Sequence, residues 1–176
     1  MSVIATYARV NEGDIDQICN NAEWMDVLYD GRIANAKVMD VDKACDGIVW
    51  LLSRVPVSPA ASTPGEGFTL RRSLAPLLSG VGGHREPRLE APYGPASVLN
   101  QHQVKELSDW LRTINTEQLR MRYHPRSMAD AGIYPQIWIE EGPAAFEEYL
   151  LPHFEHLRTF LSEAMTANQH VIVFFT

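Results

Sequence analysis

The residues with the clearest chemical potential lie at 38–53, in the stretch VMDVDKACDGIVWLLS. Asp40, Asp42 and Lys43 stand within four positions of one another. Two carboxylates held in one cleft with separated pKa values can act as a general acid and a general base. A paired-carboxylate site is therefore one interpretation of this stretch.

The same stretch also has the pattern of a capped helix. Apolar residues from Ala44 to Val55 recur at helical spacing, which predicts a helix with one buried face. An aspartate before such a helix accepts hydrogen bonds from free backbone N–H groups and complements the helix dipole. Asp42, or failing that Asp40, is the predicted N-cap, and Pro56 is the predicted end. The pattern favours this structural interpretation over the catalytic one.

Aromatic residues beside rigid turns supply candidate pocket walls. Tyr93 precedes Gly94-Pro95, Tyr134 precedes Pro135, and Trp138 follows closely. With Asp40, Asp42 and Lys43, these three aromatics form the candidate pocket of the chain. Such aromatics also anchor apolar cores, and the core alternative is the stronger one for all three residues.

Other chemical motifs point to no cofactor and no metal. His153 and His156 are spaced i, i+3, but no HExxH pattern accompanies them. The glycines of 80–83 lack the GxGxxG spacing of a nucleotide-binding loop, and there is no GxSxG nucleophile motif. Cys19 and Cys45 lie in apolar segments without CxxC spacing, so we expect two buried free thiols.

The elements that must position these residues alternate between helix and strand. The composition and periodicity predict an α+β fold: a single compact domain, 1–176, with a small sheet packed by several helices. Strands are predicted near 3–9, 96–99 and 171–175, with the two terminal strands adjacent. Helices are predicted from Asn100, Asn115 and Pro125 and along the apolar stripe of 146–164, which Pro152 should kink or split. Residues 56–67 are predicted to be a mobile Pro/Ser/Gly-rich loop, and 133–135 an extended segment.

Several segments together resemble the YfbM-like proteins, a bacterial family of unknown function. They are the DVDK start at 40–43, the glycine-containing element at 78–83, YGPASVLN at 93–100, INTEQLRMRY at 114–123 and MADAGIYPQIW at 128–138. The resemblance covers almost the full length, although Cys45 stands where the family commonly has tryptophan. It implies a compact α+β fold, and it supplies no activity, cofactor or catalytic residue.

The net charge of the chain and its distribution limit the classes of function that the sequence supports. The formal net charge is -7, and the excess acid lies in 1–60 and 136–176, whereas 61–135 is slightly basic. An acidic chain argues against a nucleic-acid partner, and no apolar run is long enough to span a membrane. We expect a bacterial cytoplasmic protein that binds a protein partner, in an accessory or immunity-like role. The alternative is an enzyme or small-ligand binder with its pocket near Asp40, Asp42 and Lys43.

The charge distribution predicts that the protein does not bind duplex DNA. Phosphate attraction needs a contiguous basic face, and we expect the arginines of 71–126 to lie apart from a negative region formed by the chain ends. An electrophoretic shift assay at about 150 mM salt should show no retarded band. Tight, salt-sensitive binding in that assay would contradict the charge argument.

Overall fold

The structure is a computed structural model that describes residues 2–53 and 73–176. It has one five-stranded antiparallel sheet, in the order β2-β1-β5-β4-β3. The strands are β1 Ala5–Val10, β2 Lys37–Asp40, β3 His84–Arg85, β4 Ser97–Leu99 and β5 His170–Phe175. The predicted adjacency of the two terminal strands is confirmed, since β1 and β5 pair along their whole lengths. The predicted loop at 56–67 and the predicted helix end at Pro56 lie outside the described residues.

Helices cover the sheet, and this confirms the single α+β domain. They are α1 Ile15–Cys19, α2 Trp24–Tyr29, α3 Cys45–Leu52, α4 Gln101–Arg112, α5 Thr116–Arg122, α6 Pro125–Asp130, α7 Trp138–Glu141 and α8 Leu151–Thr166. Short 3₁₀ turns span Glu12–Asp14 and Ala75–Ser79, and a π-helical segment spans Ala145–Leu150. In the part of the chain that the structure describes, no helix has the length and hydropathy needed to cross a membrane.

The two faces of the sheet bury two separate apolar clusters. Tyr7, Met39 and Val173 face the larger cluster, which includes the buried sides of α3, α4 and α8. The opposite face of the sheet, which includes Ala8 and Ile172, contacts a smaller cluster formed with α1, α2 and Leu89. Alternation along each strand, with period two, produces this division. Because both faces of the central strands are buried, β5 has the nearly continuous apolar sequence HVIVFF.

The starts of α4 and α5 were predicted correctly from capping residues in the sequence. Asn100 and Asn115 each form a complete capping box, with Gln103 and Gln118 respectively returning a hydrogen bond to the cap backbone. Pro152 lies in the first turn of α8, directly after the π-helical segment, and the backbone stays helical across the junction at Leu150 and Leu151, so the helix is not split there.

Three sequence predictions are wrong. Asp42 and Asp40 do not cap α3: its N-cap is Ala44, with no side-chain capping bond, because 37–40 is a strand and 41–44 a turn. Tyr134–Pro135 is a cis peptide within a turn and not an extended segment. The basic segment does not lie apart from the acidic helices, since Arg120 forms ion pairs with Glu147 as well as Glu117.

The two cysteines are free and buried, as expected. Cys45 lies under β1, with its Sγ 3.6 Å from the Tyr7 hydroxyl, and that hydroxyl donates to the Leu78 carbonyl at 2.7 Å. Burial raises the pKa of Cys45 to about 11, and it also raises the pKa of Cys19. A buried thiol with a raised pKa is a poor nucleophile, and Cys45 packs within the larger apolar cluster.

Gly47 allows α3 to pack closely against the π-helical segment and α7. A Cβ atom at this position would lie 2.7 Å from Leu150 Cδ2 and 2.8 Å from Trp138 Cη2. Trp138 and Leu150 are both fully buried, so neither can move without disturbing the larger cluster.

Gly47→Ala should therefore destabilise the protein. Overpacking costs about 1–3 kcal/mol and the helix preference of alanine offsets up to about 1 kcal/mol, which leaves a net loss of about 1–2 kcal/mol in the free energy of unfolding. Urea unfolding measures it. Gly13→Ala is the control, because no atom lies within 4 Å of its added Cβ, and it should change stability by less than about 0.5 kcal/mol. Equal effects from the two substitutions would contradict the packing account.

Candidate functional site

The aspartates of the DVDK stretch form a turn at the end of β2. Asp40 is the last residue of the strand, and its Oδ1 accepts a hydrogen bond from the Asp42 N–H at 3.0 Å. Asp42 adopts a left-handed backbone conformation, with φ of 46°. Aspartate tolerates this conformation better than most residues do, because its short side chain can hydrogen-bond locally. The turn brings the Asp42 carboxylate and the Lys43 backbone N–H to the π-helical segment.

Tyr149 joins this turn to the C-terminal helices. Its hydroxyl donates to Asp42 Oδ2 at 2.9 Å and accepts from the Lys43 N–H at 3.1 Å. Burial, followed by the hydrogen bond to Asp42, raises the pKa of Tyr149 well above its usual value, so the hydroxyl keeps its proton at neutral pH. A residue 107 positions away in the chain thus fixes the Asp42 carboxylate.

His153 lies one turn beyond Tyr149, at the start of α8. The two rings meet edge to face, with centroids 5.1 Å apart. Burial lowers the pKa of His153; Asp42 and Asp40 oppose that shift, and His156 adds to it. An imidazole with a lowered pKa is neutral at pH 7, and it can then accept a proton or a hydrogen bond.

A groove begins at this corner and runs along β2. It has a volume of about 540 Å³. All four residues of β2 line it, together with Arg9 of β1 and with His153, His156, Phe160 and Glu163 of α8. Its far end is closed by the ion pair between Arg9 and Glu163 at 2.9 Å. We call this feature the β2–α8 groove.

The structure brings together only part of the predicted pocket. Asp40, Asp42 and Lys43 share the corner, and Tyr134 lies close enough to contribute to the raised pKa of Tyr149. Trp138 is a core residue that donates from Nε1 to the Ile133 carbonyl at 2.7 Å. Tyr93 is 40% exposed and contacts the Ser2 carbonyl at 3.3 Å, so its hydroxyl is engaged by the N-terminal segment.

Sequence reasoning missed the parts of the site that long-range folding creates. Strand β2 was not predicted, and neither Tyr149 nor Glu163 was named as a site residue. The i, i+4 spacing of Tyr149 and His153 was the available signal, since such residues share a helix face. Within residues 2–53 and 73–176, no group of three or more His, Cys, Asp or Glu side chains is placed to hold a metal ion.

A larger pocket, which Arg9 also lines, contains arginines that are paired with carboxylates. Its volume is about 870 Å³, and Arg9, Arg112 and Arg158 line it. Each of these arginines has a carboxylate partner, respectively Glu163, Asp109 and Glu155. These carboxylates offset the positive charge of the arginines and weaken the attraction of the pocket for an anion, so the β2–α8 groove is the better candidate despite its smaller volume.

Fold and groove together define a one-domain α+β protein in which a helix flanks an edge strand of the sheet. The family profile described as Domain of unknown function (DUF1877) matches residues 1–174, and the chain belongs to that family. Its fold is similar to that in the crystal structure of YfbM, a protein of unknown function from Escherichia coli. That match has a TM-score of 0.63 and 19% identity, and covers 98% of this chain and 99% of that one. The search of curated proteins gave no match.

Tyr149→Phe tests the bridge between the turn and the C-terminal helices. Removing the hydroxyl leaves the partly buried Asp42 carboxylate and Lys43 N–H without their partner, so we expect a loss of about 1–3 kcal/mol in the free energy of unfolding. Urea unfolding measures this. Tyr93→Phe is the matched control, because its hydroxyl makes one long, exposed contact, and it should cost less than about 0.5 kcal/mol. The bridge would be refuted by a Tyr149→Phe variant as stable as the control.

His153 should make stability fall as the pH drops below neutral. Its folded pKa lies below the ordinary value of 6.5, so the unfolded chain binds the proton more readily, and stability is lost as the pH falls from 6.5 through the lower folded pKa. Urea unfolding at pH 7.5 and pH 5.5 should show a smaller difference for His153→Gln than for the natural protein. His170, whose pKa is also lowered by burial, should retain the remaining pH dependence. An unchanged pH profile in His153→Gln would refute the assignment.

Proposed function

We propose that this protein is a binding protein and that the β2–α8 groove is the site where it binds a protein partner. One observation carries the proposal: the groove follows the whole length of an edge strand and has a helix as its second wall. Proteins recognise extended segments of other proteins at such sheet edges. An accessory or immunity-like role, in which one protein is held by another, fits such a site.

The charges of the groove support recognition of a specific partner. Lys37 and Asp40 are exposed at opposite ends of β2, and Asp42 adds a second carboxylate at the Asp40 end. Charges arranged in this way orient a partner and select against partners with the wrong charge order. The net charge of -7 favours a partner whose contacting surface is basic.

A second candidate is an enzyme or small-ligand binder centred on Asp40, Asp42 and Lys43. The position of His153 favours it, because a neutral imidazole beside two carboxylates and a tyrosine hydroxyl is a possible general base. Screening small metabolites by thermal shift tests this alternative. It requires a ligand that stabilises the natural protein and loses its effect in His153→Gln.

For localisation we propose the bacterial cytoplasm. The support is the pair of buried free thiols, which suits a reducing compartment.

Site-specific photocrosslinking tests the binding proposal. A benzophenone amino acid at Lys37, which is exposed in the groove, should give a discrete crosslinked product in cells that make the protein naturally. The same amino acid at Lys105, on the exposed side of α4, is the control and should give none. Mass spectrometry then identifies the partner and its crosslinked residue.

The crosslink must also depend on the groove. Adding Asp40→Asn to the Lys37 photoprobe should reduce the product, because it removes a charge from the same strand without changing the side chain's size. If the Lys37 and Lys105 probes give the same products, or none, the groove is not a partner site.

A further inference from the structure

We propose that the β2–α8 groove binds an extended peptide segment, which joins the sheet as a further strand beside β2 and places a basic side chain opposite Asp40. This inference rests on the proposed function, and it names the chemistry of the partner. The groove, the open backbone edge of β2 and the charges along that strand support it independently of one another.

The backbone register shows which groups of β2 face the groove. Ile4 and Thr176 exchange both backbone hydrogen bonds, so even-numbered residues of β1 bond to β5. The odd-numbered residues of β1 then bond to β2, in agreement with the bond from the Val41 N–H to the Ala5 carbonyl. By the same alternation, Lys37 and Met39 direct their backbone groups toward β1. Val38 and Asp40 direct theirs outward.

Those outward groups lie at an edge of the sheet. Among the described residues, β2 has β1 as its one neighbouring strand. An extended peptide can therefore exchange backbone hydrogen bonds with Val38 and Asp40, as in other cases of strand addition. Helix α8 forms the opposite wall, with His153 near Asp40 and Glu163 near the Lys37 end, so it runs along the strand and leaves an extended space.

Side-chain alternation fixes the type of residue expected at each position of the peptide. Met39 faces the larger cluster, on the side of Phe160 and α8, so a peptide residue opposite Met39 enters the groove and should be apolar. Asp40 lines the end of the groove and, by the same alternation, its side chain lies toward Tyr29, whose pKa is raised by burial and to a smaller extent by the Asp40 carboxylate. The residue opposite Asp40 should be lysine or arginine, because an exposed carboxylate favours a cross-strand cation.

A second copy of this chain is a poorer occupant. Backbone bonding pairs outward residues only with outward residues, so Lys37 of one copy cannot lie directly opposite Asp40 of another. The allowed antiparallel registers instead place Asp40 against Ala36, Val38 or Asp40 of the other copy, without a cation. Charge complementarity therefore favours a separate peptide with its own basic residue.

Selection from a phage-displayed library of random octapeptides against the full chain tests the inference. Selected peptides should share a basic residue next to an apolar, β-branched or aromatic one. Their affinities, measured by fluorescence anisotropy, should fall about tenfold for Asp40→Asn and for Val38→Pro. Proline at position 38 removes only an outward N–H and is tolerated on an edge strand, whereas Val38→Thr keeps the N–H and should bind like the natural protein.

N-methylation of the peptide gives a test that does not depend on the folding of a variant. Blocking single amides in turn should weaken binding at every second position, because alternate peptide N–H groups point toward β2. If Asp40→Asn weakens binding but Val38→Pro and N-methylation do not, strand addition is wrong, and the groove remains a binding site. Failure to select any binding peptide would overturn the inference. So would a dimer of the natural protein, detected by sedimentation, that Val38→Pro abolishes.

Discussion

The pairing of the two terminal strands is the constraint on which the rest of the structure depends. Strand β1 bonds to β5 through its even-numbered residues and to β2 through its odd-numbered ones, so the chain ends form the middle of the sheet. Backbone groups buried between two apolar clusters need such partners, because an unpaired buried N–H or C=O is costly. Strands β2 and β3 consequently lie at the edges, where the chain between the termini contributes only short segments.

Polar contacts at both ends of the groove join the sheet to the C-terminal helical segments. At one end the Tyr149 hydroxyl bonds to Asp42 and Lys43, and at the other end Arg9 pairs with Glu163. The space between these contacts is lined by Met39, Phe160 and two histidines, and no strand within the described ranges fills it. The groove therefore lies between two polar contacts, beside a helix whose position is also fixed by the apolar residues that α8 buries in the larger cluster.

The features predicted correctly from sequence are those with local causes. Both capping boxes, the proline at the start of α6 and the apolar periodicity of the C-terminal helices depend on residues a few positions apart. The terminal strands were found because their apolar and β-branched residues are continuous. Strand β2 was missed because KVMD is short and contains charged ends, and because Asp40 resembles a helix cap. The role of Asp42 could not be read locally, since its partner Tyr149 is 107 residues away.

The charged residues of β2 have two effects at this edge of the sheet. They limit unspecific pairing with other strands, and they select the strand that can pair. An edge strand exposes backbone groups that any other strand could pair with, and charged residues at its ends limit such pairing. Lys37 and Asp40 occupy those positions here, and both are exposed. An apolar strand that approaches β2 must desolvate the Asp40 carboxylate without compensation, whereas a strand with a cation at that position gains an ion pair. The same two residues that protect the edge from indiscriminate pairing therefore determine which extended segment it can accept.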